Sequence, residues 1–282
     1  IRLSLVGSEM CIRDSYNMDI FEEQNLEIPE TWDAFMELCQ KLKDAGVQPL
    51  EESYKDTGMA GHYRGGAMAA LFPDGALWLA ECAQDPEKKP SDNPDYRTFA
   101  EKAIQIMDYC NDDVFGIPQT QAMENFANGK AAMMIYGSYG RGTFLVANPD
   151  LNLGVFPIPG LTEESGLVYA GVDACFCVSG KASPQEQEAG LKWIEFLSRP
   201  EVAQKWSDTE GAPSAIDGVQ YGSEGSLPML DKIKEGKVRE WKAYYDSRFS
   251  DTEAFQGLLM DKDVDKFLKN ADEVWANAHI SG

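Results

Sequence analysis

The chain has 282 residues, of which 43% are hydrophobic and 26% charged, a composition typical of a globular protein with one or two domains. It contains 25 Lys and Arg residues against 47 Asp and Glu residues, which gives a formal net charge of −22. This charge repels phosphate backbones and anionic membrane surfaces, so we expect no nucleic-acid partner and a monomeric protein.

Residues 1–15 show neither amphipathic periodicity nor a helix cap. They also lack the apolar core and the small-residue cleavage site of a signal peptide. The run from Val6 to Ser15 resembles the translated adapter sequences that terminate some environmental sequence assemblies. We therefore interpret residues 1–15 as a non-native leader, with a disordered arm as the alternative, and we exclude them from the predicted fold.

Helices and short strands alternate from Tyr16 onward. Thr31 is a candidate N-cap and Gly46 a candidate C′ glycine of the first clear helix. Strands are predicted at 47–50, 131–136, 153–157 and 168–178, and helices at 32–45, 66–72, 96–110, 120–127, 201–207, 227–241 and 263–278. One more helix is predicted to be capped by Ser183-Pro184 and broken by Pro200. No two-residue hairpin signal joins the strands, which predicts an α/β fold with mostly parallel pairing.

Aromatic residues fall into two groups by their surroundings. Trp32, Trp193 and Trp275 are in phase with the apolar faces of predicted helices, so we expect them in the core. A second group lies beside Gly, Ser, Asp or Arg residues: Tyr63, Tyr139, Trp241, Tyr244 and Tyr245. Aromatic rings pack on the C–H faces of sugars, while Asp, Arg and Asn groups bind sugar hydroxyls. The second group indicates a carbohydrate site, with core or helix-end anchoring as the alternative for each residue.

Motifs of catalysis and of cofactor binding are not found. Gly140-Arg-Gly142 lacks the third glycine of a dinucleotide fingerprint, and Gly129-Lys130 lacks the rest of a Walker A motif. The two histidines and six cysteines, none in a CxxC pair, predict neither a metal site nor a cofactor. No stretch approaches the ~20 apolar residues of a membrane span. The acidic residues are most simply a solvated surface, although the paired carboxylates of a glycosidase stay open as an alternative.

Three segments together resemble a known family. They are YNMDIFEEQNLEIPETWD at 16–33 with LKDAGVQP at 42–49, FANGKAAM at 126–133 with Gly-Ser-Tyr at 137–139, and Gly-Val-Asp followed by a helix and PEVAQ within 171–204. In this order and spacing they are similar to family 1 extracellular solute-binding proteins, which serve carbohydrate ABC transporters. The resemblance covers nearly the whole chain.

The resemblance implies an α/β, two-lobed clamshell of the periplasmic-binding-protein type II kind. Residues 16–170 would form the second lobe, residues 171–226 the returning part of the first lobe, and residues 227–282 helices that pack back on the second lobe. The opening strands of the first lobe are missing from this assignment, so we expect the first lobe to be incomplete.

The resemblance also implies a function without catalysis. The protein would be the exported substrate-binding component of a sugar importer, periplasmic or lipid-anchored, and would deliver a mono- or oligosaccharide to permease subunits. Tyr139 occupies the position of the sugar-stacking Trp of the family. The expected ligand-binding residues are Tyr139, Tyr63, His62, Arg64, Asp173, Trp241 and Tyr245. The resemblance implies that His62, Tyr63 and Arg64 lie in a loop that reaches the cleft. Alternatives are a peptide, polyamine or anion bound by the same fold, and a carbohydrate-active hydrolase.

Overall fold

Six strands form a single sheet in the part of the chain that the computed structural model describes, which is residues 7–137, 140–165, 167–210, 214, 216–220, 227–240 and 248–280. For residues 7–14, 169–175, 210, 227–230 and 239–240 only the backbone is described. The strands are β1 Gly7–Asn17, β2 Gln48–Leu50, β3 Ala131–Gly137, β4 Leu153–Phe156, β5 Val168–Cys175 and β6 Val238–Glu240. The α-helices in these ranges are α1 Met18–Glu23, α2 Trp32–Asp44, α3 Thr57–Leu71, α4 Gly75–Gln84, α5 Pro94–Ala103, α6 Gln119–Ala127, α7 Gly140–Ala147, α8 Pro184–Leu197, α9 Pro200–Glu210, α10 Leu227–Lys234, α11 Thr252–Asp261 and α12 Val264–Ile280.

Helix ends follow the predicted caps. The hydroxyl of Thr31 accepts a hydrogen bond from the amide of Ala34 at 3.3 Å, and Gly46 ends α2 with a φ of +76°. At α8, Ser183 and Glu186 form a reciprocal capping box, in which the amide of Ser183 donates to the Glu186 carboxylate at 2.8 Å. These bonds satisfy amides and carbonyls that the helix itself leaves without partners, which explains why the local sequence predicted them.

Strand β1 is antiparallel to every strand with which it pairs. The sheet order is β2-β3-β1-β5-β6, and β4 also pairs with β1. β1 is antiparallel to β3, β4 and β5, whereas β2 is parallel to β3 and β6 is parallel to β5. Five strands therefore point one way and β1 points the other. The predicted α/β class is confirmed, but mostly parallel pairing is wrong, because the reversed strand lies largely in residues excluded from the prediction.

Residues 7–15 are part of the fold. They lie in β1, where Ile12 pairs with Gly137 of β3 on one edge and with Tyr169 of β5 on the other. Excluding them was wrong, since backbone amides and carbonyls form the ladder and a strand can pair without amphipathic periodicity. Their interpretation as a non-native leader stays a prediction.

Aromatic packing fills the space between the sheet and α1. The Tyr16 ring lies 4.4 Å from that of Phe21 and 5.5 Å from that of Phe156. Tyr16 pairs with Gly154 across β1 and β4, and a Cβ at Gly154 would overlap the Tyr16 ring. Glycine is therefore the residue that lets this ring lie across the neighbouring strand.

Two of the three predicted core tryptophans are buried. Trp32 is 0% exposed and Trp275 is 1% exposed, which confirms the prediction for both. Trp193 is 54% exposed, so its prediction is wrong. Helical periodicity identifies an apolar side of a helix but does not ensure that another element covers it.

The C-terminal helices complete the core of the N-terminal part. α11 packs against α3, and α12 packs against α5 and α11. The lobe boundaries given above stay predictions. Among the described residues, no helix combines the length and the apolar character needed to cross a lipid bilayer.

Candidate functional site

The carboxyl ends of five strands lie along one edge of the sheet, which we name the carboxyl edge. Gly137, the last residue of β3, pairs with Ile12. Glu240, the last residue of β6, pairs with Ala170, which pairs in turn with Cys11. β3 and β6 therefore end within one residue of the same level on β1. Ligand sites of open α/β sheets form beyond such strand ends, so the carboxyl edge is the candidate site.

Three of the expected binding residues follow strands that end at the carboxyl edge. Tyr139 is the second residue after β3, Trp241 is the first after β6, and Tyr245 comes four residues later. All three lie outside the described residues. Their roles as aromatic platforms stay predictions, although β3 and β6, which precede them, end within one residue of the same level of the sheet.

Asp173 lies at an irregularity of β5. Ser8 pairs with Ala174 and Glu9 pairs with Val172, so Asp173 is the additional residue on the β5 side of a shift in register. Such bulges redirect a side chain and are common beside active or binding sites. The backbone places Asp173 three residues beyond Ala170, past the level at which β6 ends. Its side chain is outside the description, and its contact with a ligand stays a prediction.

His62, Tyr63 and Arg64 lie in a helix and not in the loop expected from the sequence. They belong to α3, whose first turn is held by the Asp56 carboxylate accepting from the amide of Gly58 at 2.7 Å. α3 packs against β1, β3 and β5. A Cβ at Gly61 would lie 3.0 Å from the side chain of Thr252, so this glycine permits a close approach of α3 and α11.

Tyr63 is a core residue. Its side chain is 0% exposed, and its hydroxyl donates to the carbonyl oxygen of Ala103 at 2.7 Å. Its ring stacks against Tyr54 at 6.0 Å and contacts Phe255 at 5.8 Å. The expectation that Tyr63 forms a sugar platform is wrong for this structure, because the ring has no exposed face.

Arg64 joins α3 to the C-terminal helices. Its guanidinium forms an ion pair with the carboxylate of Asp251, which precedes α11 and is 1% exposed. The hydroxyl of Tyr96 donates to the same carboxylate. This ion pair gives Arg64 a structural role in orienting Asp251, and its contact with a ligand stays a prediction.

His62 is the α3 residue that faces the end of β3. Its half-buried ring lies 6.0 Å from the ring of Tyr136, the next-to-last residue of β3. Gln119 donates to the Tyr136 hydroxyl, and a Cβ at Gly140 would overlap the Tyr136 ring. The start of α7 therefore lies close to the Tyr136 ring. Of the three α3 residues, the structure brings His62 to the carboxyl edge.

Buried polar residues after β2 were missed by the sequence analysis. Glu51 and Glu52 are almost fully buried. A Glu52 oxygen accepts from the amide of Ile135 at 2.6 Å and so continues the β3 ladder beyond the end of β2. Asn125 donates to Glu51 at 2.5 Å, and burial raises the Glu51 pKa above its ordinary value. Burial and the charge of Glu52 together raise the pKa of Tyr54 well above its ordinary value. A Glu-Glu-Ser run directly after a buried strand is the signal that could have located them.

A surface groove of about 550 Å³ lies away from the carboxyl edge, between α5 and α12. Its charged residues are engaged with neighbours, as in the hydroxyl of Ser91 donating to Asp272 at 2.6 Å and Lys269 lying 3.7 Å from Glu273. None of the predicted site residues lines it. We therefore keep the carboxyl edge as the candidate site.

Two curated proteins that are similar to the chain are sugar-binding proteins. It is 24% identical over 225 residues to the multiple sugar-binding protein of Streptococcus mutans, a match that spans 77% of this chain and 52% of that protein. It is 23% identical over 217 residues to the melibiose/raffinose/stachyose-binding protein of Bacillus subtilis, spanning 73% of this chain and 49% of that protein. The chain thus spans about half the length of these curated relatives.

A solved structure shows the same fold. The solute-binding protein RafE in complex with raffinose superposes with a TM-score of 0.82 at 24% identity, covering 96% of this chain and 72% of that one. This likeness confirms the predicted fold of the periplasmic-binding type. The model of the family described as bacterial extracellular solute-binding protein matches residues 15–227, which is most of the chain. The chain therefore belongs to the bacterial extracellular solute-binding protein family.

Proposed function

We propose that this protein is the substrate-binding component of an ABC-type sugar importer. It would capture a mono- or oligosaccharide between two lobes, and a membrane permease would recognise the closed form. The observation that supports this best is that two curated relatives are named for sugars, one of them for melibiose, raffinose and stachyose. We further propose that the protein is exported, is monomeric and has no catalytic activity.

The proposed binding site lies at the carboxyl edge. Tyr139 and Trp241 would stack on sugar rings, since they directly follow strands that end at one level of the sheet. His62 and Asp173 would bind hydroxyls from α3 and from the bulge of β5. Tyr245 is the proposed outer platform. Neutral hydroxyls suit a chain with a net charge of −22 better than an anion does.

Calorimetric titration of the chain with raffinose, stachyose, melibiose and galactose tests the proposal. We expect saturable binding of at least one sugar, which is recovered chemically unchanged. Binding of an amino acid, a peptide or a polyamine instead would identify the ligand class as wrong. Recovery of a shortened oligosaccharide would favour the hydrolase.

Tyr139→Ala sharpens the same test. Loss of a buried aromatic anchor weakens binding by roughly 1–3 kcal/mol, so we expect a sugar dissociation constant raised to that extent. Tyr139→Trp is the matched control, because it keeps a ring for stacking and should retain the affinity. Equal affinity of Tyr139→Ala and the unaltered chain would remove Tyr139 from the site.

A further inference from the structure

Helices α3 and α11 are joined at the N-terminal end of α11. Asp251 is the N-cap residue of α11, and its carboxylate forms the ion pair with Arg64 of α3. One turn away on α3, a Cβ at Gly61 would lie 3.0 Å from the Cγ2 methyl of Thr252. The two helices therefore meet through one ion pair and one close approach of their backbones.

The first turns of α11 also fix the point at which α3 begins. The side-chain amide of Gln256 donates to the carbonyl oxygens of Tyr54 and Lys55, at 2.7 and 3.3 Å. These two residues directly precede Asp56, the N-cap of α3. The Gln256 bonds therefore hold α3 along its axis, while the ion pair and the close approach limit its rotation. We name three residues the α11 clamp: Asp251, Thr252 and Gln256.

The ion pair of the α11 clamp is shielded from water. The Arg64 side chain is 11% exposed and the Asp251 side chain is 1% exposed. The hydroxyl of Tyr96 donates to the second oxygen of the same carboxylate. Hydrogen bonds to charged groups are stronger than neutral ones, and a buried charge that loses its partner is costly. The pair therefore favours one rotation of α3 over its alternatives.

His62 lies on a different side of α3 from the one that meets α11. At about 100° per residue, Gly61 and Arg64 are roughly 60° apart around the helix, and His62 is roughly 100° and 160° from them. The His62 ring lies 6.0 Å from the ring of Tyr136 in β3. Because backbone hydrogen bonds hold the residues of a helix at fixed angles to one another, a rotation of α3 against α11 would move His62 relative to β3.

We propose that the members of the α11 clamp are positioning residues of the binding site, which set the rotation of α3 and thereby the direction in which His62 faces the carboxyl edge. The clamp acts from the opposite side of α3 and makes no contact with the solute. Its effect on affinity rests on the proposed function, in which His62 binds a sugar hydroxyl. Solute affinity then depends on a helix that is distant in sequence from the strands of the site.

The two histidines of the chain allow the orientation of His62 to be measured without a solute. Each histidine gives one Cε1–H signal in a carbon–proton NMR correlation spectrum, and His62→Gln identifies the signal of His62. Gly61→Ala introduces the Cβ that would meet the Thr252 methyl, so we expect the His62 signal to shift. Alanine is a better helix former than glycine, so α3 is retained, which circular dichroism checks. An unshifted His62 signal would overturn the proposal.

A second substitution separates displacement of α3 from the local change beside His62. Thr252→Ser removes the Cγ2 methyl but keeps the hydroxyl, which lies 3.1 Å from that of Ser250. In the double variant Gly61→Ala, Thr252→Ser, the His62 signal should return most of the way to its position in the unaltered chain. A signal that stays shifted would contradict positioning by the clamp. Gly257→Ala is the matched control, since a Cβ there meets nothing within 4 Å, and it should leave the signal in place.

Sugar affinity connects the clamp to the site. We expect Gly61→Ala to raise the dissociation constant of the sugar that binds among raffinose, stachyose, melibiose and galactose about tenfold, a change that one lost hydrogen bond can cause. In the His62→Gln background, Gly61→Ala should have no further effect, because the clamp acts through His62. Equal weakening in both backgrounds would overturn this role. Absence of sugar binding by the unaltered chain would contradict the proposed function, whereas the His62 signal would still decide whether the clamp positions α3.

Discussion

Two regions of the molecule bury their apolar residues to different extents. The dense region comprises residues 16–165 and 248–280, and the exposed region comprises residues 176–240. Among the described residues of the exposed region, the buried hydrophobic ones are Ile194 and Ala203. This region nevertheless holds five of the ten large hydrophobic residues that are exposed in the described chain. Helices form in both regions, but within the described residues those of the dense region are covered to a greater extent.

The comparison separates helix formation from burial. α2 in the dense region and α8 in the exposed region both begin at a hydroxyl N-cap. Capping is local and needs only a few consecutive residues. Burial depends on a partner element. α2 finds one in β4, where Phe156 contacts Phe35 of α2, and the exposed side of α8 does not find one in the described chain.

The largest expected difference between the regions concerns tryptophan. Trp32→Ala should lower the free energy of unfolding by about 3–5 kcal/mol, because it empties a filled core site. It also removes the donor to Gln105, whose side-chain oxygen lies 2.7 Å from the indole nitrogen. Trp193→Ala should change the free energy by about 0.5 kcal/mol or less. Urea unfolding followed by circular dichroism measures both, and equal losses would break the comparison.

An ion pair in the dense region should likewise contribute more to the free energy of unfolding than an ion pair in the exposed region. Asp251→Ala leaves the guanidinium of Arg64 buried without this carboxylate, and we expect a loss of about 3 kcal/mol in the free energy of unfolding. Glu188→Ala removes a pair with Lys192 in which both side chains are about two-thirds exposed, and the loss should be too small to resolve. Combining Arg64→Met with Asp251→Leu should recover part of the first loss. No recovery would show that the cost is not that of an uncompensated charge.

The smallest expected effect concerns how the free energy of unfolding depends on pH. Glu51 in the dense region and Glu186 in the exposed region should contribute to it with opposite signs. Burial raises the pKa of Glu51 above its ordinary 4.5 in the folded state. Its favourable contribution is therefore present below that pH and is lost as the pH rises through the raised pKa. Hydrogen bonds from Ser183 lower the pKa of Glu186, so its contribution is present above 4.5 and is lost as the pH falls through the lowered pKa.

Unfolding of Glu51→Gln and Glu186→Gln at a series of acidic pH values measures these signs. As the pH rises, the unaltered chain should lose the stabilising contribution of Glu51, and Glu51→Gln should abolish this loss. Over the same pH range the unaltered chain should gain the contribution of Glu186, and Glu186→Gln should abolish this gain. The same sign for both variants would show that burial does not control the titration of Glu51.

The sequence selected residues that follow or lie in strands ending at the candidate site, but not which side chains face it. Tyr139 and Asp173 were selected from family motifs and Trp241 as an aromatic residue beside polar ones, and the structure places the strands that carry or precede them at one edge. His62, Tyr63 and Arg64 were predicted to lie in a loop, but they belong to α3. Which of these three residues faces the site depends on the rotation of α3 against the sheet, and the local sequence carries no record of that rotation.

The sequence alone determined the features whose causes are local. The N-caps at Thr31 and Ser183, the left-handed Gly46 and the family motifs were readable because a few neighbouring residues produce them. Tertiary structure alone decided the direction of β1, the burial of Tyr63 and the exposure of Trp193. These features depend on which distant segment pairs with or covers a residue, and periodicity describes one element without its partner.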